Sequence, residues 1–132
     1  MTIFDKIVSG EIPSYKVAET DEFLAFLDVF PLKEGHTLVI TKAAVDYIFD
    51  LEDNTLAELH IFAKKVAKAL ESVVPCRRIG VAVIGLEVPH AHIHLVPLES
   101  VSDINFSSPK IKVPESRMTA LASQVAEAFN KL

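Results

Sequence analysis

Five histidines, His36, His60, His90, His92 and His94, are the residues most able to do chemistry here. Three of them share one stretch, His90–Ala91–His92–Ile93–His94–Leu95–Val96. The spacing predicts a strand. Period two then puts His90, His92 and His94 on one face and turns Ala91, Ile93 and Leu95 toward the core. Adjacent imidazoles are costly as mere structure: they repel when protonated, and each buried ring nitrogen needs a partner. Chemistry offers two uses for such a row. Neutral imidazoles bind zinc, and three of them plus water make a catalytic site, with an acid such as Glu87 near by. Alternatively, one neutral imidazole attacks phosphorus to give a phosphohistidine-type intermediate. Its neighbours then orient the ring, fix its tautomer and bind phosphate oxygens. Both uses need the same lone pairs, so a tightly bound metal would abolish the second.

The remaining sequence must build the scaffold for this row. The chain has 132 residues, half of them apolar and 23% charged, which fits one globular domain over 1–132. A net charge of −5 gives no overall field for nucleic acid. The single cysteine, Cys76, excludes an internal disulfide framework and a cysteine-based zinc site. The opening stretch has no long apolar run and carries Asp5 and Glu11, so it reads as neither a signal peptide nor a membrane span. The expectation is a cytoplasmic protein with no membrane partner.

Hydrophobic patterning predicts a short helix over Phe4–Ser9, then strands at Val17–Glu19, Phe23–Asp28 and His36–Thr41. A turn of helix follows at Asp46–Leu51. Asn54–Val73 is the clearest helix, with Leu56, Leu59, Phe62, Ala63, Val66, Leu70 and Val73 in one stripe. Ile79–Ile84 has almost no polar residue and is expected in the centre of a sheet. His90–Leu98 is the next strand, 101–113 is irregular, and Pro114–Leu132 is a second amphipathic helix. Strands clustered by hairpins favour an α+β fold with a mainly antiparallel five-stranded sheet and two main helices. Helices on one face leave the other for a ligand or partner.

The histidine stretch matches His-x-His-x-His with apolar x, and the chain resembles the histidine triad (HIT) superfamily. Further segments agree in order: Thr2–Val8 with Glu11–Ile12–Pro13, Leu24–Val29, Gly35–Ile40, and Gly85 with Val88–Pro89. The match covers about residues 2–98 and is closest to the Hint-like branch. That branch acts without a metal or cofactor on purine nucleoside 5′-phosphoramidates. The resemblance implies that His92 is the nucleophile, that His94 bonds the phosphate, that His90 supports the site, and that His36 lines the same pocket. It assigns Asp28 to the ribose hydroxyls, and Phe4, Ile7, Ile12, Phe26 and Val29 to the surroundings of the base. It also implies a homodimer. The C-terminal segment, with Phe106, Lys110 and Lys112, would approach the leaving group.

The departures from the pattern are specific. The strand before the triad lacks the usual asparagine, and Leu86–Glu87 follows Gly85 where Gln-Ser or similar is typical. An ionised Glu87 would repel phosphate; protonated, it could donate to the leaving group, and otherwise it points to solvent. Thr2 and Asp5 stand where many bacterial relatives carry Cys-x-x-Cys, so no structural zinc is expected. The Lys42–Ala43–Ala44 segment also lacks a histidine often found there. His60 and Cys76 read as incidental. The leading reading is a metal-independent nucleotide hydrolase or transferase. The alternatives are a zinc-dependent hydrolase using the same histidines and a nucleotide-binding regulatory module with little turnover.

Overall fold

A computed structural model describes all residues, 1–132. Helix α1 (Ile3–Ser9) opens with a capping box between Thr2 and Asp5 and closes at Gly10. Gly10 has φ +86°, a left-handed conformation that suits glycine, and its N–H reaches Ile7 O. Strands β1 (Lys16–Glu19), β2 (Phe23–Leu27) and β3 (Thr37–Thr41) follow as antiparallel neighbours. Helix α2 (Asp53–Val73), strands β4 (Arg78–Ala82) and β5 (His92–Leu98), and helix α3 (Glu115–Asn130) complete the order. Single 3-10 turns lie at Ile48–Asp50 and Val101–Ile104. This is the expected α+β architecture, with every strand pair antiparallel and the sheet order β1-β2-β3-β5-β4. No helix is long and apolar enough to cross a membrane.

The sheet separates two apolar clusters. On one face Ala25, Leu27, Val39, Ile93 and Leu95 pack with Leu59, Val66 and Leu70 of α2 and Leu121 and Val125 of α3. That is the predicted stripe of α2 and the predicted core-facing side of β5. On the other face Leu24, Phe26, Leu38 and Ile40 pack with Phe4 and Ile7 of α1. His94 lies opposite Leu38 and His92 opposite Ile40, so the histidine row belongs to this second face.

One expectation is corrected. The apolar run after α2 does not occupy the sheet centre: β4 is an edge strand, ends at Ala82, and leaves Val81, Val83 and Ile84 exposed. An apolar run alone cannot tell a central strand from an edge that another surface covers. Gly80 explains how closely this edge packs, since a Cβ there would stand 2.5 Å from Leu98 Cδ1.

Candidate active site

The site forms where β3 and β5 meet under α1. His36 precedes β3 and is placed by a tight turn, with His36 N–H donating to Lys33 O at 3.0 Å. Gly35 makes that turn with φ +98°. The turn brings the His36 ring under the loop, and Leu32 N–H donates to its Nδ1 at 3.0 Å. Nδ1 is therefore an acceptor, and the proton of the neutral ring sits on Nε2. His36 Nε2 lies 2.9 Å from His94 Nδ1 and donates to it. His94 in turn carries its proton on Nε2, which is left as a donor.

His92 has the opposite tautomer. Its Nδ1 is 2.7 Å from His90 O, and a carbonyl can only accept. The proton sits on Nδ1, and Nε2 keeps its lone pair. Phe4 meets the His92 ring edge-to-face at 5.1 Å between centroids, and the His92 and His94 rings are 4.8 Å apart. A ring with a free Nε2 lone pair, His92, and a ring with a free Nε2–H, His94, are thus side by side. His92 also lines a groove of about 390 Å³ with Tyr47, Phe49, His60, Ile84 and Leu86.

Burial keeps these rings neutral. It lowers the pKa of His36 to about 4, helped by the charges of Lys110 and His92. It lowers that of His94 to about 3, helped by His92, His36 and Lys110. His92 is also lowered by burial, against the opposing pull of its bond to His90 and the charge of Glu87.

Asp28 lies just beyond β2. Its Oδ1 accepts Phe30 N–H at 2.9 Å, and burial raises its pKa. Its Oδ2 is 3.7 Å from His36 Nε2, too long for a hydrogen bond, and a neutral His36 makes no ion pair with it. Of the apolar residues read as base contacts, Phe4, Ile7 and Phe26 pack together and Ile12 lies against them. Val29 stands apart, exposed on the loop after Asp28. Glu87 is exposed, though its charge reaches Asp28 and His92. His60 is exposed and bonds only its own helix, Nδ1 to Leu56 O at 2.8 Å.

Three sets of groups have no signal in side-chain spacing, although the resemblance had already pointed to the second, Phe106 with Lys110. Leu32 N–H and His90 O are backbone groups, and they set the tautomers. Phe106 packs on His94 with centroids 4.6 Å apart, and Lys110 Nζ donates to Phe106 O at 2.9 Å. Ile111 N–H pins this strap to Pro31 O at 2.9 Å. The third is Thr2, whose Oγ1 is 3.0 Å from His90 Nδ1.

The HIT domain model matches residues 9–101. The chain belongs to the HIT family. Among HIT relatives, the adenosine 5′-monophosphoramidase hnt1 of Schizosaccharomyces pombe is 40% identical over 97 residues, covering 72% of each chain. A HIT-like protein of Bartonella henselae, described as involved in cell-cycle regulation, superposes with TM-score 0.83 at 30% identity over 96% of this chain and 95% of its own. A zinc-bound histidine triad protein of Mycobacterium smegmatis superposes with TM-score 0.83 at 25% identity, covering 98% of this chain and 93% of its own.

That last relative raises the question of which residues here could hold a metal. Asp28, His36 and His94 offer ligand atoms within 4.8 Å of one another. Their hydrogen bonds do not suit it. His36 Nε2 carries a proton because Nδ1 faces Leu32 N–H, and His94 Nδ1 is already occupied by that proton. Thr2 and Asp5 do not fit either, since Asp5 Oδ2 accepts Thr2 N–H at 2.9 Å and a hydroxyl is a weak zinc ligand.

Proposed function

We propose that this HIT protein is a nucleotide hydrolase that cleaves purine nucleoside 5′-phosphoramidates, or related nucleotide conjugates, at the α-phosphorus through a nucleotidyl-His92 intermediate. The observation that carries this reading is the bond from His92 Nδ1 to His90 O, which leaves the Nε2 lone pair free. In the first step that lone pair forms a bond to phosphorus and the P–N bond breaks. The departing amine takes up a proton from solvent, which the attacking water returns in the second step. The ring gains positive charge, and its Nδ1–H bond to His90 O stabilises that charge. In the second step water attacks phosphorus, loses a proton, and the P–Nε2 bond breaks to release the nucleoside monophosphate. His94 Nε2–H donates to a phosphate oxygen in both steps. Asp28 accepts from the ribose hydroxyls through the oxygen that Phe30 leaves free, while the surface around Phe4, Ile7, Ile12 and Phe26 receives the base. Lys110, on the Phe106 strap, supplies positive charge near a site whose imidazoles are neutral.

The proton positions at His36 and His94 support a metal-independent mechanism over a zinc-dependent one. The test is hydrolysis of adenosine 5′-phosphoramidate in excess chelator, with wild type and His92→Ala compared. Turnover lost only in the variant is expected. Loss of wild-type turnover on chelation would restore the zinc reading. Binding of AMP with no turnover would favour a regulatory module instead, a reading kept in view by the acidic Glu87.

The edge strand β4 supports a homodimer. Its exposed Val81 continues into exposed Val83, Ile84 and Leu86, and Ile61 of α2 is exposed as well. An open apolar edge promotes uncontrolled pairing unless it is covered, and a second copy of the sheet would cover it. Sedimentation of wild type and Val81→Lys is the test: a dimer that the charge converts to monomer is expected, and a monomeric wild type would contradict it.

A further inference from the structure

His90 has no exposed surface, and both its ring nitrogens are engaged inside the protein. Nε2 is 2.7 Å from Thr41 O, so it must donate. Nδ1 is 3.0 Å from Thr2 Oγ1. No lone pair or N–H of this ring remains for a substrate. Its link to the chemistry is its own carbonyl, which accepts the His92 Nδ1 proton at 2.7 Å. A shift of His90 would therefore move the carbonyl that aims His92.

Thr2 is itself held firmly. Its Oγ1 accepts Asp5 N–H at 3.0 Å, its main-chain N–H donates to Asp5 Oδ2 at 2.9 Å, and Oγ1 lies 3.2 Å from the same carboxylate oxygen. The single hydroxyl proton has two destinations. Turned to His90 Nδ1, it completes the bonds of a neutral ring. Turned to Asp5, it lets Nδ1 carry a proton of its own and donate to Oγ1. The His90 ring keeps the same partners in either arrangement. Phe4, two residues beyond Thr2 on α1, packs on both His90 and His92, so the capping box also sets where that ring lies.

We infer that Thr2, braced by Asp5, is a positioning residue for the nucleophile: it locks the His90 ring, and through the His90 carbonyl it locks His92. This rests on the nucleotidyl-His92 reading for its catalytic consequence, but not for its structural one.

The test uses the full chain with Thr2→Val, which removes the hydroxyl at nearly constant shape, and Thr2→Ser, which restores it. In the valine variant kcat for the phosphoramidate is expected to fall about tenfold or more, because small misplacements of reacting groups are costly. KM should change less than about twofold, and serine should recover most of the loss. Ring-nitrogen NMR gives a second readout that needs no substrate. His92 is expected as the Nδ1–H tautomer in wild type, and with a shifted Nδ1 signal in Thr2→Val as its bond to the displaced His90 carbonyl weakens. A folded valine variant with unchanged kcat and an unchanged His92 signature would overturn the inference. If Thr2→Val does not fold, Asp5→Asn replaces it: an altered His90 signature supports the inference, and an unaltered one overturns it. A wild type that turns over no phosphoramidate would sink the functional reading, while the NMR comparison would still decide this one.

Discussion

His36 Nε2 stands 2.9 Å from His94 Nδ1, and one proton lies between them. Leu32 N–H at the far side of His36 decides that the proton belongs to His36. The consequence reaches the pocket, because His94 must then present an N–H from Nε2. A backbone amide in a turn thus sets the donor on the β5 row.

Removing that relay should be costly. His36→Leu leaves Leu32 N–H and His94 Nδ1 without partners, and each unsatisfied buried group costs about 1–3 kcal/mol. The expected result is a lower urea midpoint together with a fall in kcat, as His94 loses its fixed tautomer. A variant as stable and as active as wild type would show that the pair does not hold the site.

Acid should destabilise the fold through the same rings. His36 titrates at about 4 in the folded chain against 6.5 for a free histidine, and His94 at about 3. Between pH 6.5 and those values the unfolded chain binds more protons than the folded one, so stability falls as pH falls. For His36 alone the full loss is on the order of 3 kcal/mol. Asp28, raised by burial, acts with the opposite sign just above pH 3.8. A urea midpoint that declines steadily from pH 7 to 4.5 is predicted; a flat one would mean the imidazoles are not held neutral.

Asp28→Asn tests the ribose assignment. Hydrogen bonds to a charged group contribute about 1.5–3 kcal/mol, so KM for a riboside should rise roughly tenfold or more. KM for the matching 2′,3′-dideoxy substrate should hardly change. Equal effects on both would place Asp28 outside ribose recognition.

Glu87→Gln bears on the departure most visible in the sequence. The charge of Glu87 raises the pKa of His92, whose free lone pair the proposed mechanism requires. The acid limb of the pH–rate profile should therefore move to lower pH in the variant. If Glu87 instead donates to the leaving group, the alkaline limb is lost. A profile unchanged on both limbs would leave Glu87 as a solvent-facing residue.

Much of this architecture is legible in the residues because periodicity reports burial. The stripe of α2 and the alternation in His92–Leu98 each specify a face, and the structure puts those faces together. The apolar run 79–84 misled, because a sheet edge and a sheet centre can have the same composition and differ only in what covers them. The histidines of the site were readable from type and spacing, but their proton positions were not. Those depend on Leu32 N–H, His90 O and Thr41 O, and every non-proline residue carries such backbone groups. Phe106 and Lys110 reach the site along an irregular strap that has no period to read. The capping box between Thr2 and Asp5, and its reach to His90, 88 residues away in sequence, emerge only in the structure.

Covalent catalysis requires His92 Nε2 to bond to phosphorus. Mass spectrometry after rapid acid-free quenching of wild type mixed with adenosine 5′-phosphoramidate, in excess chelator, tests it most directly. An adenylyl group on the peptide containing His92, absent from His92→Ala, is predicted. Steady turnover in chelator with no adduct at any time, and with inversion of configuration at a chiral α-phosphorus, would contradict it.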